Sequence, residues 1–157
     1  MNPTNKNRIC PLMIIIFISA MLGFADISLA DGSIGYIKTA EKSAFIIRKG
    51  SSLPAKVGDS VFLKDVLKTD ENGAIGITFM DNTMISIGAD TEYILDEYAY
   101  QPREKKLSFV STITRGTLHF ISGNISKLAP DSVSVKTPTG TIGIRGTRFL
   151  VKVQEDG

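Results

Sequence analysis

Arg145 and Arg148 enclose a Gly146-Thr147 pair near the end of the sequence. An arginine held beside such a bend offers a planar fork of N–H donors to a carboxylate, a main-chain carbonyl or another anion. Arg145 follows Ile142 and Ile144 in alternation, so it faces away from their side, and Phe149 then returns to the core. Two roles are open to it: tying neighbouring turns together through Asp59 or Asp65, or meeting a partner protein or an anionic polymer. Tyr98 and Tyr100 flank Ala99, which puts both rings on one face of an extended strand. Such a pair packs a sheet edge, anchors a protein interface or stacks on a sugar ring.

The carboxylates read differently. Asp59, Asp65, Asp70 and Asp81 fall at turns, where an Asp side chain caps main-chain N–H groups. A calcium site needs about six to eight converging oxygens, and no Asp-x-Asp-x-Asp spacing is present, so no metal is expected. Asp90, Glu92, Asp96 and Glu97 around Tyr93 form an acidic stretch that suits a solvated edge. His119 is the single histidine and lies between Leu118 and Phe120, pointing away from their face. One histidine excludes a multi-histidine metal centre and leaves no partner for a histidine-centred base. No nucleophile elbow, phosphate-binding loop or metalloprotease helix occurs. The expectation is a non-enzymatic chain without cofactor.

The elements that position these residues begin after a leader. Residues 1–30 join a polar start bearing Lys6 and Arg8, an apolar run from Pro11 to Phe24, and the small residues Ser28 and Ala30 before Asp31. These are the parts of a cleaved secretory signal peptide, and the apolar run is short for a span of about 18 residues or more. Export is expected, to the periplasm first and otherwise outside the cell, with membrane contact only through this segment if it stays uncleaved. Cys10, the only cysteine, leaves with it. What remains, residues 31–157, is long enough for one domain with its own core. The whole chain carries a formal net charge of +2 and has no extended Lys/Arg run, which argues against nucleic acid as a partner.

From residue 73 onward apolar residues alternate with small or polar ones, the period of half-buried strands. Ile75, Ile77 and Phe79 share a face, as do Ile85 and Ile87, Leu107 and Phe109, Leu118 and Phe120, Val133 and Val135, Ile142 and Ile144, and Phe149, Val151 and Val153. Glu71-Asn72-Gly73 and Asp81-Asn82-Thr83 mark turns, Gln101 to Lys106 a solvated loop, and Gly123 to Asp131 a longer polar connection. Ile34 to Thr39 and Ala44 to Arg48 suggest a first strand pair around Glu41-Lys42, and a brief helix fits the irregular front part. The pattern predicts an all-β domain of short strands, either a β-sandwich or a β-solenoid-like stack.

Several local patterns together resemble the FecR-like periplasmic domain. The most specific are Thr137-Pro138 and the run Ile144-Arg145-Gly146-Thr147 with Phe149; Gly58-Asp59, Asp65 to Thr69, Gly73 and Asp81-Asn82-Thr83 agree with the family's turn elements. Asn82 stands where the family usually has glycine. The resemblance runs from about Gly32 to Val153 and implies an envelope module that acts by binding, with an envelope or secreted protein as partner. Relatives among iron-uptake regulators carry a cytoplasmic anti-sigma segment and a membrane helix; this sequence is expected to be a stand-alone exported form. A cell-wall or surface polysaccharide is the alternative ligand, through Tyr98 and Tyr100.

Overall fold

The computed structural model describes residues 32–154. The expected signal segment, its cleavage point and Cys10 lie outside the described residues. The strands are β1 (Gly35–Glu41), β2 (Ala44–Arg48), β3 (Ser51–Pro54), β4 (Ser60–Val61), β5 (Val66–Thr69), β6 (Ala74–Phe79), β7 (Met84–Ile87), β8 (Glu92–Gln101) and β9 (Lys106–Ile121). A short helix α1 (Asn124–Leu128) follows, then β10 (Val133–Thr137), β11 (Gly140–Gly143) and β12 (Arg148–Val153). Among the described residues no helix is long and apolar enough to cross a membrane.

All strands join one 12-stranded sheet. It is antiparallel except where β10 runs parallel to β9. One arm runs β3-β2-β5-β8-β9 and the other β9-β7-β6-β1-β4, so β9 belongs to both. Its first part pairs with β8 up to Arg115, and its last residues pair with β7. Between them the inward-facing set changes phase: Phe109, Ser111 and Ile113 are buried before the corner, Leu118 and Phe120 after it. A register shift opposite Glu92 and Tyr93 supplies the extra residue on β9. Gly116 sits at the corner with φ 94°, and a Cβ there would overlap Thr91. The bend brings Phe109 and Phe120 of the same strand to 5.5 Å between ring centres. The sheet therefore curls over itself as a half-barrel, with one long strand turning the corner between layers.

The alternating positions read from the sequence fill the space between the arms. Ile75, Ile77, Phe79, Ile85, Ile87, Leu118, Phe120, Val133 and Val135 are all buried. Phe79, Phe109, Phe120 and Phe149 touch in series, with ring centres 4.9 to 5.5 Å apart. Such aromatic contacts add about 0.5–1.5 kcal/mol each beyond the area they bury. Of the two arrangements left open by the sequence, the curled sheet is nearer the sandwich.

Three details depart from expectation. β1 and β2 do not pair: Glu41 lies opposite Ala74 and Ala44 opposite Thr69, so the chain steps from one arm to the other at Lys42, whose φ is 49°. Ile144 is buried, but Ile142 is 37% exposed, because β11 pairs only with β10 and overhangs the core. The polar connection after β9 contains α1, whose Ile125 is fully buried, whereas no helix occurs in the described front part.

Candidate functional site

The turn residues have local hydrogen-bond partners. Asp81, at the β6–β7 turn, is fully buried. Its carboxylate accepts from the Thr83 N–H and hydroxyl at 3.2 and 2.7 Å, the Tyr98 hydroxyl at 3.2 Å and the Ile125 N–H at 3.2 Å. The Asp81 N–H in turn donates to the Tyr98 oxygen at 2.9 Å. One side chain thus holds together a turn, a strand and the start of α1. Asn82 beside it adopts φ 65°, the left-handed conformation that asparagine tolerates. Asp65 is likewise buried and accepts from Arg48 through Nε at 2.8 Å and a terminal nitrogen at 2.7 Å. Phe62 N–H adds a third bond at 2.9 Å, and the guanidinium lies 4.4 Å from the Phe62 ring centre.

Other motif residues also have local partners. Asp59 caps the Lys56 N–H at 2.9 Å, beside Gly58 at φ 92°. The Thr69 hydroxyl donates to the Gly88 carbonyl at 2.6 Å and accepts from the Thr91 N–H at 3.0 Å. Gly73 backs directly onto the Ser43 carbonyl. Thr137 closes the Pro138-Thr139 hairpin by donating to the Gly140 carbonyl at 3.0 Å.

Tyr98 and Tyr100 do share a face, but that face points toward the core. A register shift between Leu95 and Glu97 makes Asp96 an extra residue and reverses the phase of β8. Tyr98 then packs on Phe79 and Phe109, and the Tyr100 hydroxyl accepts from Asn124 at 3.2 Å. Burial, with the Asp81 carboxylate adding to it, pushes the Tyr98 phenol well above its ordinary pKa. Neither ring stands out as a platform for a sugar.

Arg145 is exposed and pairs with Asp131 at 2.6 Å. Asp65, one of the two partners anticipated for it, is occupied by Arg48. The bend it flanks is moored from both sides: Ile144 N–H donates to the Val133 carbonyl, and Ser122 donates to the carbonyls of Gly146 and Thr147. Gly146 itself has open space around it and no positive φ. Phe149 stacks on Phe120 at 4.9 Å, which fixes the start of β12.

Among the described residues β12 is a terminal strand with one long open edge. Of the terminal strands, β3 ends in Pro54, β4 has 2 residues and β11 has 4, whereas β12 has 6. β7 and the β7–β8 link lie along one flank of β9, because Thr117 accepts from Gly88 N–H and donates from its own N–H to Thr91 Oγ1, at 3.0 Å each. β12 therefore takes the other flank, as the Ser122 N–H to Thr147 bond confirms. Main-chain groups alternate between flanks along a strand, so Gly116, Leu118 and Phe120 bond to Val153, Val151 and Phe149. The N–H and C=O groups of Arg148, Leu150 and Lys152 are left pointing outward. Their side chains are exposed, Leu150 at 67%. Beside this edge, Thr137, Gly140, Ile142, Val151 and Val153 line an open groove. Sequence reasoning singled out Arg148 but missed Leu150 and Lys152; the signal was present in their alternation with Phe149, Val151 and Val153.

Among the described residues no cluster of acidic, histidine and cysteine side chains could hold a metal ion. No curated protein and no solved structure matches the chain. A family model, described as FecR protein, matches residues 65–157, which takes in Asp65, the Asp81 turn, the β9 corner and the arginine-flanked bend but not Gly58-Asp59. That match covers more than half of the sequence, and with the all-β fold it shows that the chain belongs to the FecR protein family.

Proposed function

We propose that this chain is an exported, non-enzymatic binding module that engages an envelope or secreted protein along the outer edge of β12, in envelope signalling or scaffolding. The observation that carries the reading is the row of outward main-chain groups at Arg148, Leu150 and Lys152, on an edge that no described strand covers. An extended partner segment adds to such an edge by main-chain hydrogen bonds, with alternate side chains giving specificity. Membership of the family supports an envelope setting. The leader-like residues 1–30 support export, with the periplasm as destination. The binding role is supported by the way the buried carboxylates Asp65 and Asp81 are engaged by structural partners.

The test is capture of envelope proteins by the purified chain, compared with a Leu150→Pro form shown by circular dichroism to be folded. A protein captured by the parent and lost with Leu150→Pro supports edge addition. Equal capture by both forms removes β12 as the contact, and an Arg145→Ala/Arg148→Ala form then decides whether the bend is used instead.

A further inference from the structure

We infer that the β12 edge selects an acidic extended segment, with carboxylates on either side of a central apolar residue, and rejects a second copy of itself. This rests on the strand-addition reading above.

The residues whose main-chain groups face outward are Arg148, Leu150 and Lys152, and their side chains all project from the outer face of the sheet. Directly across on β9 lie Ile121, His119 and Thr117, none of them acidic. Asp131, the nearest carboxylate on the N-terminal side of the bend in sequence, is engaged by Arg145 at 2.6 Å. An antiparallel strand added to this edge would place one residue opposite each of the three. Carboxylates opposite Arg148 and Lys152, with an apolar side chain opposite Leu150, satisfy all positions at once. The partner's pattern is therefore acid, any residue, apolar, any residue, acid. The intervening residues point to the other face, on the side of Val151 and Val153, which favours small apolar types there.

The same register argues against self-association. A two-fold pair of β12 strands centred on Leu150 sets Arg148 opposite Lys152 of the second copy, and does so twice. Like charges directly opposite one another destabilise a strand pair, and cations on an edge are a common guard against edge-to-edge joining.

The first experiment uses the purified chain with three short synthetic peptides that share their apolar positions and carry Glu, Gln or Lys at the two outer positions. Main-chain amide shifts of Arg148, Leu150 and Lys152 report edge occupancy, and titration gives the affinity. The Glu peptide should bind about tenfold tighter than the Lys peptide, and an Arg148→Glu/Lys152→Glu form should invert that order. Equal binding of the Glu and Lys peptides, with the edge amides shifted, overturns charge selection while strand addition stands. No shift of those amides with any peptide overturns both. The second experiment needs no partner: Arg148→Glu alone makes the edge self-complementary, with Glu at one position facing Lys152 of the copy at the other. Sedimentation should show the parent monomeric and the variant shifted towards dimer. A parent that already pairs through β12, or a variant no more associated than the parent, overturns the rejection of a second copy.

Discussion

The Tyr98 hydroxyl spans the two ends of Asp81, accepting from its main-chain N–H at 2.9 Å and donating to its carboxylate at 3.2 Å. The pair lies 17 residues apart in sequence and joins the β6–β7 turn to the middle of β8. Tyr98→Phe keeps the ring against Phe79 and Phe109 but strips both bonds from a buried aspartate. The expected cost is about 1–3 kcal/mol of unfolding free energy. Urea unfolding measures it, and a loss under about 0.5 kcal/mol, the usual range of a neutral surface change, would remove the pair from the fold's essential contacts.

Alkaline pH tests the same burial. Tyr98 and Tyr93 are both held above the ordinary tyrosine value of 10.0, chiefly by burial. Each keeps its proton in the fold after its unfolded counterpart has released one. Their contribution is complete below pH 10 and declines as pH rises past it. Stability should therefore fall by up to about 1.4 kcal/mol per pH unit for each phenol. Tyrosinate absorbance followed alongside near-ultraviolet circular dichroism checks this: two of the 4 tyrosines should ionise only as the fold opens. Ionisation of all of them with the dichroism unchanged contradicts it.

Arg48 and Asp65 form a bidentate pair in which Asp65 is 1% exposed and the arginine 31%. Arg48→Ala leaves a buried carboxylate with only the Phe62 N–H. Breaking a fully buried pair costs about 3–5 kcal/mol, and the partial exposure of the arginine reduces this to about 2–3 kcal/mol. Asp65→Asn, which removes the charge but keeps an acceptor for Phe62, should cost less. A reversed order, read from denaturant midpoints, would mean that Arg48 matters chiefly for its packing over Phe62.

Proline separates the two sides of β12. At Leu150 it removes an outward N–H and leaves the β9 ladder whole; at Val151 it removes a bond to Leu118. Leu150→Pro should lie within about 1 kcal/mol of the parent and Val151→Pro should lose about 3 kcal/mol or more. Equal losses would show that the alternation of main-chain groups has been assigned to the wrong residues.

Gly116 and Gly146 should behave as opposites. Gly116 has φ 94° with Thr91 against it, whereas Gly146 has open space around it. Gly116→Ala is expected to cost about 1–3 kcal/mol from backbone strain, and more for the overlap with Thr91. Gly146→Ala should stay within about 0.5 kcal/mol. Thermal unfolding of both distinguishes a glycine that the fold requires from one that it does not.

The sequence carried the inner faces of the strands clearly. Ile75, Ile77, Phe79, Ile85 and Ile87 alternate in the text and are buried in the fold. Asn82 marked its own turn. The phase reversals were hidden, because a bulge adds a residue without changing composition: nothing about Asp96 announces that Tyr98 and Tyr100 will face inward while Glu97 faces out. Partner choice was hidden too. Glu41-Lys42 has the look of a hairpin turn, yet β1 and β2 find their partners in different arms through residues far along the chain. At the candidate site the alternation from Arg148 to Val153 was legible, but which flank of each residue stays open depends on Thr117 facing Gly88 and Thr91.

The membership of β9 in both arms sets a length threshold for folding during synthesis. A chain appearing N-terminal end first can make the β2–β3 and β6–β7 hairpins early, since each closes on neighbours in sequence. β7 and β8 then wait, because the strand that spans them is finished only at Ile121. Until that residue has emerged the two arms share no strand, so Ile85, Ile87 and Tyr93 stay open to aggregation at least until Ile121 is made.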